Sequence, residues 1–360
     1  MNPSYTFLQF SFVMIMSIGI LNHVLVIPVL LGVSGRDAWL SAIISFALLL
    51  PLLAIISAAA GKIGNKPLMH MLKNRYGRTL AFAISSVFVI YLLLSAAVTS
   101  KDLTTWTNSS YLPETPPFVI AATFIGLAYA TAANGIRSIV YSSMILLPFV
   151  VLLGFFVSIA NIPHKDYGLL FPLFEHGVAP MWRGITYAGS GLVELVLLLF
   201  MQQYLDKPMK FRGVFLLGLM LIGLTIGPLM GGLSEFGPLE SKVQRYPAFE
   251  EWRLIKIGTY FEHVDFLSIF QWLSGAFVRL SFTLFLIGQF FNFNRWAFLV
   301  CSLLTLGLVM LPVSDISFVY YLRVYYFPVV FVCMIVAALV LLLLLLKRPA
   351  PSKSNKVNPA

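Results

Sequence analysis

The stretch "AGSGLVELVLLLF", residues 188–200, decides how this chain is read. Two glycines flank a serine, a glutamate follows three residues after the second glycine, and everything beyond is apolar. Irregular backbone at membrane depth is tolerated only inside protein or against a cavity. An ionisable side chain there marks a functional position by default. The rest of the chain supports a membrane setting. Its 360 residues are 59% hydrophobic and only 11% charged, with a mean hydropathy of +0.90, whereas a soluble domain carries about 25% charged residues. These values describe an all-α integral membrane protein. Residues 1–346 form a single transmembrane domain, followed by a basic tail, 347–360.

A bilayer core about 30 Å thick needs roughly 20 mostly apolar residues per helix. About ten segments qualify: 7–31, 38–60, 80–100, 117–134, 138–160, 184–203, 212–232, 266–290, 296–312 and 319–346. The short turn around Asn134–Arg137 also allows a count of nine. Alternate loops differ in basic content. Lys62, Lys66, Lys73, Arg75 and Arg78 share one side with Arg137, Lys207, Lys210, Arg212, Arg295 and the tail. The loop 233–265 on the other side carries six acids against four bases. The positive-inside rule makes the first side cytoplasmic, with both termini inside. The net charge of +10 thus reads as topology, and no nucleic-acid partner is implied. Residues 61–79 suit a short basic helix at the inner interface. The loop 233–265 has a helical rhythm through Phe249, Trp252, Ile255 and Ile257, which suits either a moving lid or a static cap.

Ten spans divide into two sets of five, about 7–160 and 184–346. An odd-numbered repeat inserts its second copy upside down, the inverted-repeat arrangement of many secondary transporters. The first helix of each repeat is then broken near the midplane. Gly19 in span 1 and Gly189–Gly191 in span 6 fall at corresponding positions. Freed N–H groups at a half-helix start suit a carboxylate, and freed carbonyls suit an ammonium. Close packing of helices is the competing use of each glycine.

Glu194 lies about ten residues into span 6, roughly 15 Å deep, and Arg279 lies at similar depth in span 8. Each would be costly against lipid. Both are expected inside, either paired directly or through water, or in independent structural roles. His23 suits a hydrogen-bonded packing residue or a proton relay. Lys101, Asp102 and Arg323 read as interfacial, and Cys301 and Cys333 as small core residues. Metal-ligand spacing is absent, as are nucleotide-binding, zinc-protease and serine-hydrolase motifs. No cofactor and no enzymatic activity are expected.

The run "YPAFEEWRLIKIGTYFEHVDFLSIFQWLSGAFVRLSFTLF", residues 246–285, resembles the B subunits of spore germinant receptors, within the amino acid–polyamine–organocation transporter superfamily. "GILNHVLVIPVLLGVSGRDAWLSAIISF" and "GLVELVLLLF" resemble it too, and the likeness covers essentially the whole chain. It implies a LeuT-like five-plus-five fold with broken helices 1 and 6. It also implies a receptor in the inner membrane of the bacterial spore that senses a small germinant, commonly an amino acid. Such a subunit acts with a membrane-bound A subunit and a lipoprotein C subunit. An amino acid or polyamine permease is the alternative. The implied pocket lies between helices 1, 3, 6 and 8. Its expected residues are Ser17, Gly19 and Ile20 on span 1, Gly189, Ser190 and Gly191 on span 6, Ser95 on span 3, and Ser274 and Phe277 on span 8. Arg279 would put a fixed cation near the region where sodium-coupled relatives form a sodium site between helices 1 and 8, and no span offers an obvious cluster of Asp, Asn and Thr, so no sodium dependence is expected.

Overall fold

A computed structural model describes residues 5–256 and 263–346. Ile257 and the tail 347–360 lie outside the described residues. Among the described residues, eight helical segments are long and apolar enough to cross a membrane. They are Phe7–Leu25, Ile27–Ile63, Arg78–Ser110, Ile136–Ala160, Ala179–Tyr204, Phe211–Val243, Val264–Phe290 and Asp315–Leu346. Two shorter apolar helices, Pro117–Ala133 and Arg295–Val309, occupy the places of spans 4 and 9. The protein is therefore a helical, multi-pass membrane protein.

In chain order, α1 is Phe7–Ile20 and α2 is Ile27–Ser34, joined by a π-helical turn at Leu21–Leu25. Next come α3 (Ala38–Ile63), α4 (Leu68–Tyr76), α5 (Arg78–Ser110), α6 (Pro117–Ala133) and α7 (Ile136–Ala160). Then follow α8 (Ala179–Val193), α9 (Leu198–Met201), α10 (Phe211–Val243), α11 (Pro247–Arg253) and α12 (Leu267–Phe290). The chain ends with α13 (Arg295–Val309), α14 (Asp315–Tyr321) and α15 (Phe327–Leu346). The start of α1 is fixed by a capping box between Thr6 and Gln9, which satisfies otherwise orphaned N–H groups. Between α6 and α7 the chain reverses in two residues, because Gly135 takes a φ of 86° that side chains resist.

The spans that contain α1, α8 and α12, which carry the interior Ser and Gly residues, are mostly buried, while α7 and α15 present Val, Leu and Phe outward. Lipid solvates an apolar face as well as a core does, so polar and small residues collect inside. The α12 helix packs on α1, α5, α6 and α7, and α3 packs on α8 and α10.

Several boundaries differ from the sequence reading. The α5 helix runs to Ser110 because Lys101 and Asp102 are not interfacial. Asp102 is buried and accepts from Arg245 at 2.5 Å, and Lys101 donates to the carbonyls of Val309 and Leu311. The α10 helix continues to Val243 through a kink at Gly237, so 233–243 is not loop. Cys301 is buried, but Cys333 faces outward on α15.

The glycines do not mark breaks. Gly19 is helical within α1, and Gly189 and Gly191 are helical within α8. The irregular turns lie just beyond them. In the first helix the Val26 N–H reaches back to the Leu21 carbonyl at 2.9 Å, a bond one residue longer than in an α-helix. In the sixth, a tightened 3₁₀ turn begins at Glu194. Gly189 and Gly191 are packing residues. A Cβ on Gly191 would lie 1.9 Å from Asn22 Oδ1, and one on Gly189 would lie 2.7 Å from Ser45 Oγ. Only glycine lets α8 approach the first helix and α3 this closely.

Candidate functional site

The interior holds a charged knot. Tyr91, Ser95 and Thr99 stand at successive turns of α5, so one face of that helix presents three hydroxyls. Arg279 on α12 reaches this face and the turn at Glu194 together. Its Nη1 donates to Glu194 Oε2 at 2.9 Å and to the Ser17 carbonyl at 2.9 Å. Its Nη2 donates to Glu194 Oε1 at 2.7 Å and Ser95 Oγ at 2.6 Å, and its Nε to Thr99 Oγ1 at 3.1 Å. All five guanidinium N–H donors are used. Glu194 also accepts from the Tyr91 hydroxyl. Both charged residues are 2% exposed. The knot ties α1, α5, α12 and the 3₁₀ turn that follows α8 at one point.

The knot stands where spans 1, 3, 6 and 8 of the sequence reading meet. Ser17, through its carbonyl, and Ser95 are engaged by Arg279 there. Ser190 is buried and donates to the Tyr187 carbonyl. Ser274 is buried on α12, and Phe277 packs on the main core. Open space lies instead on the other side of α1. A cavity of about 410 Å³ is bounded by α1, α7, α10, α11 and α12, within the size range of small-molecule sites. Of the expected residues, Gly19 and Ile20 line it, beside His23, Trp252, Gln271 and Trp272.

Local chemistry shapes these walls. Pro228 has no N–H, so the carbonyl of Leu224 loses its helical partner. The Nδ1 of His23 satisfies that carbonyl at 3.1 Å. His23 is thus hydrogen-bonded across helices, and its other ring nitrogen is left for the cavity. The roof is α11, and as read from the sequence rhythm, Phe249, Trp252 and Ile255 are buried. Trp252 Nε1 donates to Gln271 at 3.2 Å, while Trp106 stacks on Trp272 at 4.2 Å and meets Phe249 edge-on. Arg245, just before the roof, bridges Asp102 and Asp315. Burial works against its charge, and the two carboxylates overcome that and hold it firmly protonated.

Comparison with known proteins decides the family. The family described as spore germination protein matches residues 5–319. The chain belongs to the spore germination protein family. It is 39% identical to spore germination protein XB of Bacillus anthracis over 331 residues, covering 90% of this chain and 92% of that protein. It is 24% identical to spore germination protein GerQB of Bacillus cereus over 153 residues, 42% of this chain and 41% of that one. The match spans the 246–285 run that carried the likeness to germinant-receptor B subunits.

Membership does not by itself single out the knot or the cavity. Tyr91 and Thr99 are missing from the sequence-derived set, although their spacing with Ser95 is a legible polar stripe. Glu251, Gly223 and Gly227 on the cavity wall are missing too. Gly223-x-x-x-Gly227 before Pro228 was the available signal.

Proposed function

We propose that this chain is the nutrient-sensing subunit of a germinant receptor in the spore inner membrane. It binds a small germinant, an amino acid or a similar nutrient, in the cavity beside α1. The reading is carried by one observation: the cavity lies against the widened turn of the first helix and under α11, in a member of a germination family. On this account α1 carries the signal. Gly19, Ile20 and His23 face the ligand, and the Ser17 carbonyl one turn away is held by Arg279. A ligand that fits one placement of α1 better than another shifts the population between them. Receptor A and C subunits then read the changed bundle surface.

The helices are grouped as two inverted sets of five, about 7–160 and 184–346. The irregular turns after Gly19 and at Glu194 stand in the first helix of each set, in the LeuT-like manner. Both termini are cytoplasmic. Transport by the same fold is the competing activity, and substrate counterflow by this chain alone in proteoliposomes would assign it to that class.

Gly19→Leu tests the site. A Cβ on Gly19 meets only Leu224 Cδ1, at 3.5 Å, an ordinary contact, and Gly19 lines the cavity, which has room for the rest of the side chain. Spores carrying it are expected to hold normal amounts of the protein and to lose their nutrient response by about tenfold or more, the effect of losing roughly 1.4 kcal/mol of ligand binding. An unchanged nutrient response would remove the cavity as the germinant site.

A further inference from the structure

The cavity walls are unbalanced in charge. Among the described residues lining the cavity there is no Lys, Arg or Asp, and one carboxylate, Glu251. Glu251 is 6% exposed, and its Oε1 has no hydrogen-bond partner among the described residues. Its carboxyl group sits where a Cβ on Gly231 would be, with contacts of 2.7–2.9 Å, so α10 is notched to receive it. The nearest cation is committed elsewhere: Lys165 lies 3.5 Å from Glu235 and donates to the Ser158 carbonyl at 3.2 Å. One positive charge therefore serves two buried carboxylates. Burial first, and then the charge of Glu235, push the Glu251 carboxyl up from its ordinary range.

The remaining polar groups are mostly acceptors or already used. Gln271 accepts from Trp252 and donates to the Val150 carbonyl. With its Nδ1–H on Leu224, a neutral His23 offers an acceptor at Nε2. The Gly232 N–H serves the same carboxyl group, but a buried carboxylate without a cation of its own is still costly, and a cation that pairs with it recovers much of that cost. A carboxylate ligand finds no cationic side chain on these walls.

Resting on the reading of this cavity as the germinant site, we propose that it binds a primary ammonium carried on an apolar body, with Glu251 as the cation's partner. The aliphatic and Trp walls take the body. A free carboxylate on the ligand weakens binding, because it is desolvated with no cationic side chain to receive it. The mouth of the cavity includes outward-facing Val151, Phe155 and Met220, so the ammonium can belong to a free amine or to an aminolipid headgroup.

The test uses the full chain in phosphatidylcholine–phosphatidylglycerol nanodiscs, with phenethylamine, phenethyl alcohol and phenylalanine as probes and tryptophan fluorescence as readout. Phenethylamine is expected to bind about tenfold or more tighter than either other probe. Glu251→Gln should erase the preference for the amine over the alcohol while the alcohol still binds, and Glu251→Asp should keep the preference. Competition by added phosphatidylethanolamine identifies the lipid as a source of the ammonium, and no competition identifies the free amine. Equal binding of amine and alcohol, no binding of the amine, or an unaltered preference in Glu251→Gln overturns the proposal. If Gly19→Leu still abolishes the nutrient response in that case, the cavity stands as the germinant site and only the ammonium assignment falls.

Discussion

Arg279→Leu is expected to destabilise the protein by roughly 3–5 kcal/mol, the usual consequence of removing one partner from a buried ion pair. The change removes all five bonds of the guanidinium together. It leaves the Glu194 carboxylate, the Ser17 carbonyl and the hydroxyls of Ser95 and Thr99 with fewer partners in a site sealed from water and lipid. Glu194→Leu is expected to be nearly as harmful, because it strands the cation. The double variant Arg279→Leu with Glu194→Leu should recover much of the loss, since a buried pair is worth little against an apolar replacement of similar volume. Thermal unfolding of the three variants in detergent checks this. Additive losses in the double variant would mean that the two residues act independently.

Gly191→Leu is the second large effect. Even an alanine Cβ would lie 1.9 Å from Asn22 Oδ1 and 2.7 Å from its Cγ. Asn22 is wholly buried. Overpacking a tight core costs about 1–3 kcal/mol for added methylenes, and leucine at a helix–helix contact exceeds that. Folded, monodisperse protein should be almost lost on size-exclusion chromatography. Gly191→Ala combined with Asn22→Gly should restore yield, because the second change vacates the space the first one needs. Full yield from Gly191→Leu alone would show that α8 does not rest on the first helix here.

These two sites also show what the sequence could reveal. The positions of the spans were legible because lipid demands long apolar runs, and the Glu194–Arg279 contact because two charges at equal depth can hardly face lipid. The boundaries failed where charge was paired inside. Asp102 reads as an interface residue until Arg245, far along the chain, is seen to reach it. The glycines failed for a related reason. A glycine that breaks a helix and one that admits a neighbour look alike in one dimension, and only the position of Asn22 tells them apart. Spans 1, 3, 6 and 8 meet where the Arg279 side chain converges on Glu194, Ser95 and the Ser17 carbonyl, and the direction in which that side chain extends is not legible in one dimension. The walls on α7 and α10 are mostly Leu, Val, Met, Phe and Gly, the same residues that face lipid elsewhere, and the Gly223–Gly227 spacing before Pro228 is the one local mark on them. Gly19 and Ile20 line the cavity, and the Ser17 carbonyl meets Arg279, because α1 borders both the cavity and the knot.

The central claim is that the germinant occupies the cavity beside α1. It is tested most directly by thiol labelling of Gly227→Cys, in a Cys333→Ser background, within the assembled receptor in spore membranes. Gly227 lines the cavity and has open space where its Cβ would be. The account predicts that an amino-acid mixture able to trigger these spores slows labelling several-fold, with half-protection near the concentration that half-activates germination. Labelling at an unchanged rate in the presence of a saturating, germination-triggering mixture would contradict it.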